Sequence, residues 1–179
     1  MMFSIDYKSN KLTPLDASYL LLEPEAGPRH MTFHNTLNKA YVINELNNTI
    51  TILNYDASTG VLEALNSVTT LPDNFTGESY TADIHITDDG KFLYGTNRGH
   101  NSIAMFEIAS DGSLLSLGHE STRGDHPRNF LINKNELYVA NQNSDNVVVF
   151  EIKSDGRLKF KYELNTNTPV CLRIIEVEG

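Results

Sequence analysis

A carboxylate set among arginines is the chemistry this sequence offers. Glu45 follows Asn44, Arg98 follows Asn97 and Gln142 follows Asn141, so one slot recurs three times with three different side chains. Arg29 and Arg128 each follow a proline, in Gly27-Pro28-Arg29-His30 and His126-Pro127-Arg128. A guanidinium presents a planar fork of donors that matches carboxylate or phosphate. Glu45 can act as a general base on water or on a substrate C–H, or can serve only as the ion-pair partner of Arg29. The residues by themselves leave both roles open. Asp83 and His85 stand two apart in Asp83-Ile84-His85, which on a strand puts both on one face. His85 reads equally well as an imidazole bonded to a neighbouring element. Asn44, Asn97 and Asn141 suit turn hydrogen bonding. The single Cys171 leaves nothing for a Cys-based zinc site, so no metal is expected.

The elements that must position these groups are repeats. Each runs through the Asn-x pair, a polar turn, a strand with Phe or Tyr, and a Gly-x-Leu hairpin at Gly60-Val61-Leu62, Gly112-Ser113-Leu114 and Gly156-Arg157-Leu158. Their spacing is about one four-stranded propeller blade. Short runs of β-branched and aromatic residues between Gly, Asn and Asp predict an all-β chain without helices. With strands A to D counted outward, the first full blade is Met31–His34, Ala40–Ile43, Ile50–Tyr55 and Leu62–Val68. The second is Ile84–Ile86, Phe92–Thr96, Ile103–Ile108 and Leu114–Leu117. The third is Phe130–Ile132, Leu137–Ala140, Val147–Ile152 and Leu158–Leu164. Residues 1–26 make a half blade, with C at Met1–Ile5 and D at Tyr19–Leu22, and 27–70, 71–124 and 125–168 are full blades. A lone A strand is expected within 169–177, at Leu172–Val177. The whole is a single partial β-propeller domain of about three and a half blades, with raw edges that invite self-association or pairing with further blades.

In such blades the D–A and B–C connections share one face. Arg29, Arg98, Arg123 and Arg128 fall there with His30, His100 and His126, whereas seven of the eight lysines fall at the other turns. That predicts a small-anion site at one channel mouth, with Phe75 and Tyr80 of the long 71–80 loop placed to cover it. The net charge of −9 argues against nucleic-acid binding. No stretch approaches the roughly 20 apolar residues of a membrane span. Met1-Met2-Phe3-Ser4-Ile5-Asp6 lacks a basic region and an apolar core, so no signal peptide and a cytoplasmic protein are expected.

Taken together, Gly27-Pro28-Arg29-His30-Met31, Val42-Ile43-Asn44-Glu45-Leu46, Ala82 to Gly90, Leu93-Tyr94-Gly95-Thr96-Asn97-Arg98 and Pro127-Arg128-Asn129-Phe130 resemble the seven-bladed propeller lactonases. That family includes propeller-type 6-phosphogluconolactonase and 3-carboxy-cis,cis-muconate cycloisomerase. The resemblance covers essentially the whole chain and implies the C-terminal half of a seven-bladed ring. By the family's motif it implies catalysis by Arg29, Glu45 and Arg98, with no metal or cofactor. His30, Asp83, His85, Asn97, Arg128 and Gln142 are the expected substrate-binding residues. The implied activity is hydrolysis of an anionic sugar lactone, with a lactonizing cycloisomerase or a non-catalytic propeller segment as alternatives. Arg98, Arg128 and His30 would hold the anion, and Glu45, oriented by Arg29, would deprotonate the attacking water.

Overall fold

A computed structural model describes residues 1–16 and 18–175. All of the elements it assigns there are β-strands. Three antiparallel four-stranded meanders follow one another. They are β3–β6 (Pro28–Phe33, Lys39–Asn44, Thr49–Tyr55, Leu62–Thr69), β7–β10 (Tyr80–Ile86, Phe92–Arg98, Ser102–Ile108, Leu114–Ser121) and β11–β14 (Pro127–Asn133, Glu136–Asn141, Asn146–Ile152, Leu158–Asn165). A two-stranded ladder, β1 (Phe3–Asp6) with β2 (Lys11–Pro14), precedes them. This is the partial propeller expected, and each full-blade strand contains or closely overlaps its predicted segment.

Two expectations at the ends are corrected. Strand D of the half blade is Lys11–Pro14, not Tyr19–Leu22, because β2 pairs directly across a tight turn in which Asn10 takes a φ of 51°. Leu20 and Leu22 still pack on Ala40, Val42 and Leu53 of the first full blade, so their apolar character is used without a ladder. Residues 172–175 form no strand, since none of the described strands pairs with them; the predicted residues 176 and 177 lie outside the described part. Leu172 N–H donates instead to Asn129 Oδ1 at 2.7 Å.

The core lies between blades, and the period of two along each strand builds it. In the middle blade Leu93, Ala104 and Phe106 pack on Tyr41, Ile43, Ile50 and Ile52 of the preceding blade. Their neighbours Phe92, Tyr94, Ile103 and Met105 pack the opposite way, on Phe130, Leu137, Val139, Val148 and Phe150. Both faces of this blade are therefore covered, and all seven residues of β8 are buried.

Two tyrosines add polar ties from one blade to the next. Tyr41 Oη donates to Gly112 O at 2.9 Å, and Tyr94 Oη to Gly156 O at 2.8 Å. Burial raises both phenols, Tyr41 to about 12, so each remains a donor. The recurring hairpin glycine is required at these contacts. Gly156 has a φ of +78°, and a Cβ there would stand 2.3 Å from Phe92 Cδ1. Gly156→Ala thus combines a left-handed backbone with overpacking, and is expected to cost about 2–4 kcal/mol. The measurement is the urea midpoint of the variant against the parent chain.

Candidate active site

The three inner strands carry the same local irregularity. The ladders shift register between Pro28 and His30 in β3, between Thr81 and Ile84 in β7, and between Pro127 and Asn129 in β11. A bulge leaves an unpaired residue and re-aims its side chain. The flanking pairs Met31↔Val42, Ile84↔Gly95 and Phe130↔Val139 superimpose these segments. Arg29, Ala82 and Arg128 then occupy one equivalent position, and His30, Asp83 and Asn129 the next.

The second of these positions forms a belt across all three blades. Asp83 is 2% exposed. Its Oδ1 lies 2.6 Å from His30 Nδ1 and accepts from Ile84 N–H at 3.0 Å. Its Oδ2 accepts from Asn129 Nδ2 and from Phe130 N–H at 3.2 Å, and lies 3.3 Å from His85 Nε2. Burial pushes this carboxyl up, but the hydrogen bonds of His85, His30 and the Phe130 amide outweigh it and hold it well below the usual range.

Above the belt sits the arginine cluster. Glu45 N–H donates to Gly27 O at 2.8 Å, which extends the β3–β4 ladder and sets Glu45 beside Arg29. Glu45 Oε2 lies 3.6 Å from Arg29 Nε, and Oε1 accepts from Arg98 Nη2. Arg29 and Arg98 are anchored on β7, donating to Ala82 O and to Thr81 O (2.7 Å) respectively. Arg29 Nη1 also stands 3.1 Å from His30 Nε2 and so joins cluster to belt. Burial raises Glu45, but the hydrogen bond and charge of Arg98, then Arg29 and Arg128, carry it below its ordinary value. Arg29 is lowered by burial and by the charges of Arg98 and Arg128. Arg128 has no ion-pair partner among the described residues, so three guanidinium groups face one rim carboxylate.

The remaining predicted residues divide. Gln142 reaches the rim, where its N–H donates to His126 O at 3.1 Å and its buried Oε1 has no partner among the described residues. His126 lies there too, lowered by burial and by the charges of Arg98 and Arg128. Asn97 does not reach the site. It is fully buried, with Oδ1 on Thr70 Oγ1 and Nδ2 on Thr70 O and Ser102 Oγ, and so pins a D–A loop. Arg123 points away, pairing with Glu120 and covering Phe160 on an outer strand. His100 and Phe75 pack edge to face on each other, which commits both side chains locally. Asn129 is the residue that sequence reasoning passed over. Its alignment with His30 in the two Pro-Arg-x segments was the available signal.

Asp83→Asn removes the charge and replaces one of the two acceptor oxygens that three strands share by a donor, and an expected cost is about 3 kcal/mol. The pH dependence has a definite sign. A folded pKa below the unfolded one contributes stability above about pH 4, lost as pH falls towards the folded value. Urea midpoints taken from pH 6 to pH 2.5 should decline more steeply for the parent chain than for Asp83→Asn.

Comparison with known proteins gives a consistent answer. The family described as "Lactonase, 7-bladed beta-propeller" matches residues 1–174. A 6-phosphogluconolactonase of Bacillus subtilis is 41% identical over 117 residues, covering 65% of this chain and 34% of the relative. Another from Erwinia tasmaniensis is 37% identical over 139 residues, covering 77% and 41%. Among solved structures, a Lactobacillus plantarum protein superimposes with a TM-score of 0.91 at 32% identity, covering 97% of this chain and 51% of the other. A periplasmic gluconolactonase of Pseudomonas aeruginosa gives 0.89 at 28% identity, covering 96% and 49%. The chain thus spans between about a third and a half of the relatives it matches. With its three bulged inner strands, its arginine rim and a match along nearly its whole length, the chain belongs to the seven-bladed β-propeller lactonase family.

Proposed function

We propose that this chain contributes the arginine-rich channel mouth of an enzyme that hydrolyses an anionic sugar lactone of the 6-phosphogluconolactone class. The observation that carries the reading is the placement of Glu45 between Arg29 and Arg98, with Arg128 beside them and without an ion-pair partner among the described residues. A phosphate or carboxylate supplies the negative charge this rim lacks, and Arg128 with Arg98 is the fork that takes it. The lactone carbonyl then lies against the guanidinium of Arg29 or Arg98. As water adds, the carbonyl oxygen gains charge, and cations already fixed in place stabilise it most at that moment. Glu45 holds both guanidinium groups in place through its two oxygens. That geometry favours the ion-pair role over the base role, because the cations that keep Glu45 ionised also weaken it as a proton acceptor. The names of the relatives from Bacillus subtilis and Erwinia tasmaniensis support the substrate class.

The reading extends to partners and setting. Phe3, Ile5, Leu12, Met31 and Phe33 at one end, and Tyr162 and Leu164 at the other, are exposed apolar residues that suit association with further blades or another copy. A cytoplasmic setting rests on the lone cysteine. No helix among the described residues is long and apolar enough to cross a membrane.

The test is hydrolysis of 6-phosphogluconolactone above the buffer rate, set beside turnover of carboxymuconate. Glu45→Gln is expected to lower kcat about 100-fold, and to lower the urea midpoint too, because buried Arg98 loses its ion-pair partner. Arg128→Gln should raise KM for the phosphorylated lactone about tenfold, at nearly constant kcat. Faster turnover of carboxymuconate would favour the cycloisomerase instead, and inertness toward both a scaffold. Light scattering over a range of concentrations checks the self-association: a rising mass supports it, and a constant monomer mass overturns it.

A further inference from the structure

The reading above leaves open which group takes the proton from the attacking water. Three candidates, Glu45, His30 and His85, lie along one run of ion-pair and hydrogen-bond contacts, Glu45 to Arg29 to His30 to Asp83 to His85. Glu45 is spent on Arg29 and Arg98, as described. His30 is spent as well. A guanidinium only donates, so the nitrogen facing Arg29 Nη1 at 3.1 Å, Nε2, must be bare and accepting. Nδ1 then carries the hydrogen and donates it to Asp83 Oδ1 at 2.6 Å. Both ring nitrogens of His30 are committed.

His85 differs at one atom. Its Nε2 faces the ionised Oδ2 of Asp83 at 3.3 Å and therefore carries a hydrogen. Its Nδ1 is left as a bare lone pair, with no partner among the described residues. The ring stands edge-on to Phe130, centroids 4.7 Å apart, which limits its rotation. The side chain is 42% exposed on the innermost strand, whereas Asp83 beneath it is 3% exposed. A buried carboxylate holding one imidazole nitrogen, with the other turned to an accessible space, is the arrangement by which an acid sets a base's tautomer and steadies the cation formed. Among the described residues, the titratable groups facing it are Asp83 on its own strand, which it shares with His30 of β3, and Tyr94 opposite it on β8, whose hydroxyl is given to Gly156 O. From β11 it meets Phe130, and Asn129 binds the same Asp83 oxygen; neither is titratable.

We propose that His85 Nδ1 accepts the proton of the attacking water, with Asp83 as the positioning residue that holds the imidazole in its Nε2–H form. The inference rests on the lactonase reading. Water adds through oxygen to the lactone carbonyl carbon while one of its protons passes to Nδ1. The carbonyl π pair moves onto the carbonyl oxygen, beside the guanidinium groups. When the tetrahedral adduct collapses, the ring C–O bond breaks, and the leaving oxygen recovers the proton from Nδ1. The products are the open-chain alcohol and a carboxylic acid, which loses its proton to solvent. The imidazole ends neutral, as it began.

The experiment is steady-state hydrolysis of 6-phosphogluconolactone by the full chain and by His85→Gln, across pH 5 to 8. It is joined to ¹⁵N NMR of the histidine ring nitrogens in the unmodified chain. The expected result is a kcat loss of about 100-fold or more in His85→Gln with KM little changed, and disappearance of the acid limb of the profile. Asp83→Asn should lower kcat and also convert the ¹⁵N signature of His85 from a single Nε2–H tautomer to a mixture. Hydrolysis by the parent chain that His85→Gln retains, or a hydrogen found on Nδ1 of neutral His85, overturns this inference and leaves the lactonase reading standing. A parent chain that does not hydrolyse the lactone overturns both.

Discussion

Asp83 is a buried carboxylate that accepts hydrogen bonds from groups on all three inner strands, and a charge in that position persists only while it is shared. His30 comes from β3, Asn129 and the Phe130 amide from β11, and His85 from Asp83's own strand. An ionised carboxylate has acceptor capacity for about four such bonds, and here each oxygen is engaged by more than one group. The apolar contacts between blades are extensive yet tolerant of small slips. The belt is directional, and it sets the angle at which one blade faces the next.

The arginine rim depends on that angle. Glu45 comes from the first full blade and Arg98 from the second, and both guanidinium groups rest on carbonyls of β7. Burial lowers Arg29, and the like charges of Arg98 and Arg128, gathered this closely, lower it further. The scaffold carries that cost through the Tyr–Gly ties, the Asn-pinned loops and the bulges that present Arg29 and Arg128. Charge crowded at a rim and left one anion short is a means of storing binding energy for an anionic ligand. Stability and the proposed function draw on the same residues, with the belt below and the arginine cluster above joined through the imidazole of His30.

Much of this was legible in the residues. Repeated hairpin glycines, alternating apolar strands and the Asn-x slot are local features, each with a backbone reason that acts within a few residues. The pairing of Glu45 with Arg29 was likewise readable, since hairpin register places the end of one strand beside the start of its neighbour. The misplaced strand at Tyr19–Leu22 had the right composition. Leu20 and Leu22 are half-buried against the first full blade, but ladder formation went to the residues nearer the turn. The roles of Asn97 and Arg123 were not legible, because each is decided by a partner many residues away. Asn97 closes on Thr70, and Arg123 lies over Phe160.

The sequence by itself determined the all-β class, the blade count, the loops that share a face and the side chains available at the mouth, because strand period and turn chemistry are short-range. Beyond the hairpin neighbours Glu45 and Arg29, only the tertiary structure decided which of those side chains meet. Register shifts in three separate strands swing Arg29 and Arg128 to one rim and bring His30, Asp83 and Asn129 to a common level. A hydrogen bond between residues 46 or 53 positions apart has no local signature. The same holds for the difference between two histidines with the same neighbour. His30 is closed at both nitrogens and His85 is open at one, a distinction that exists only once the blades are packed.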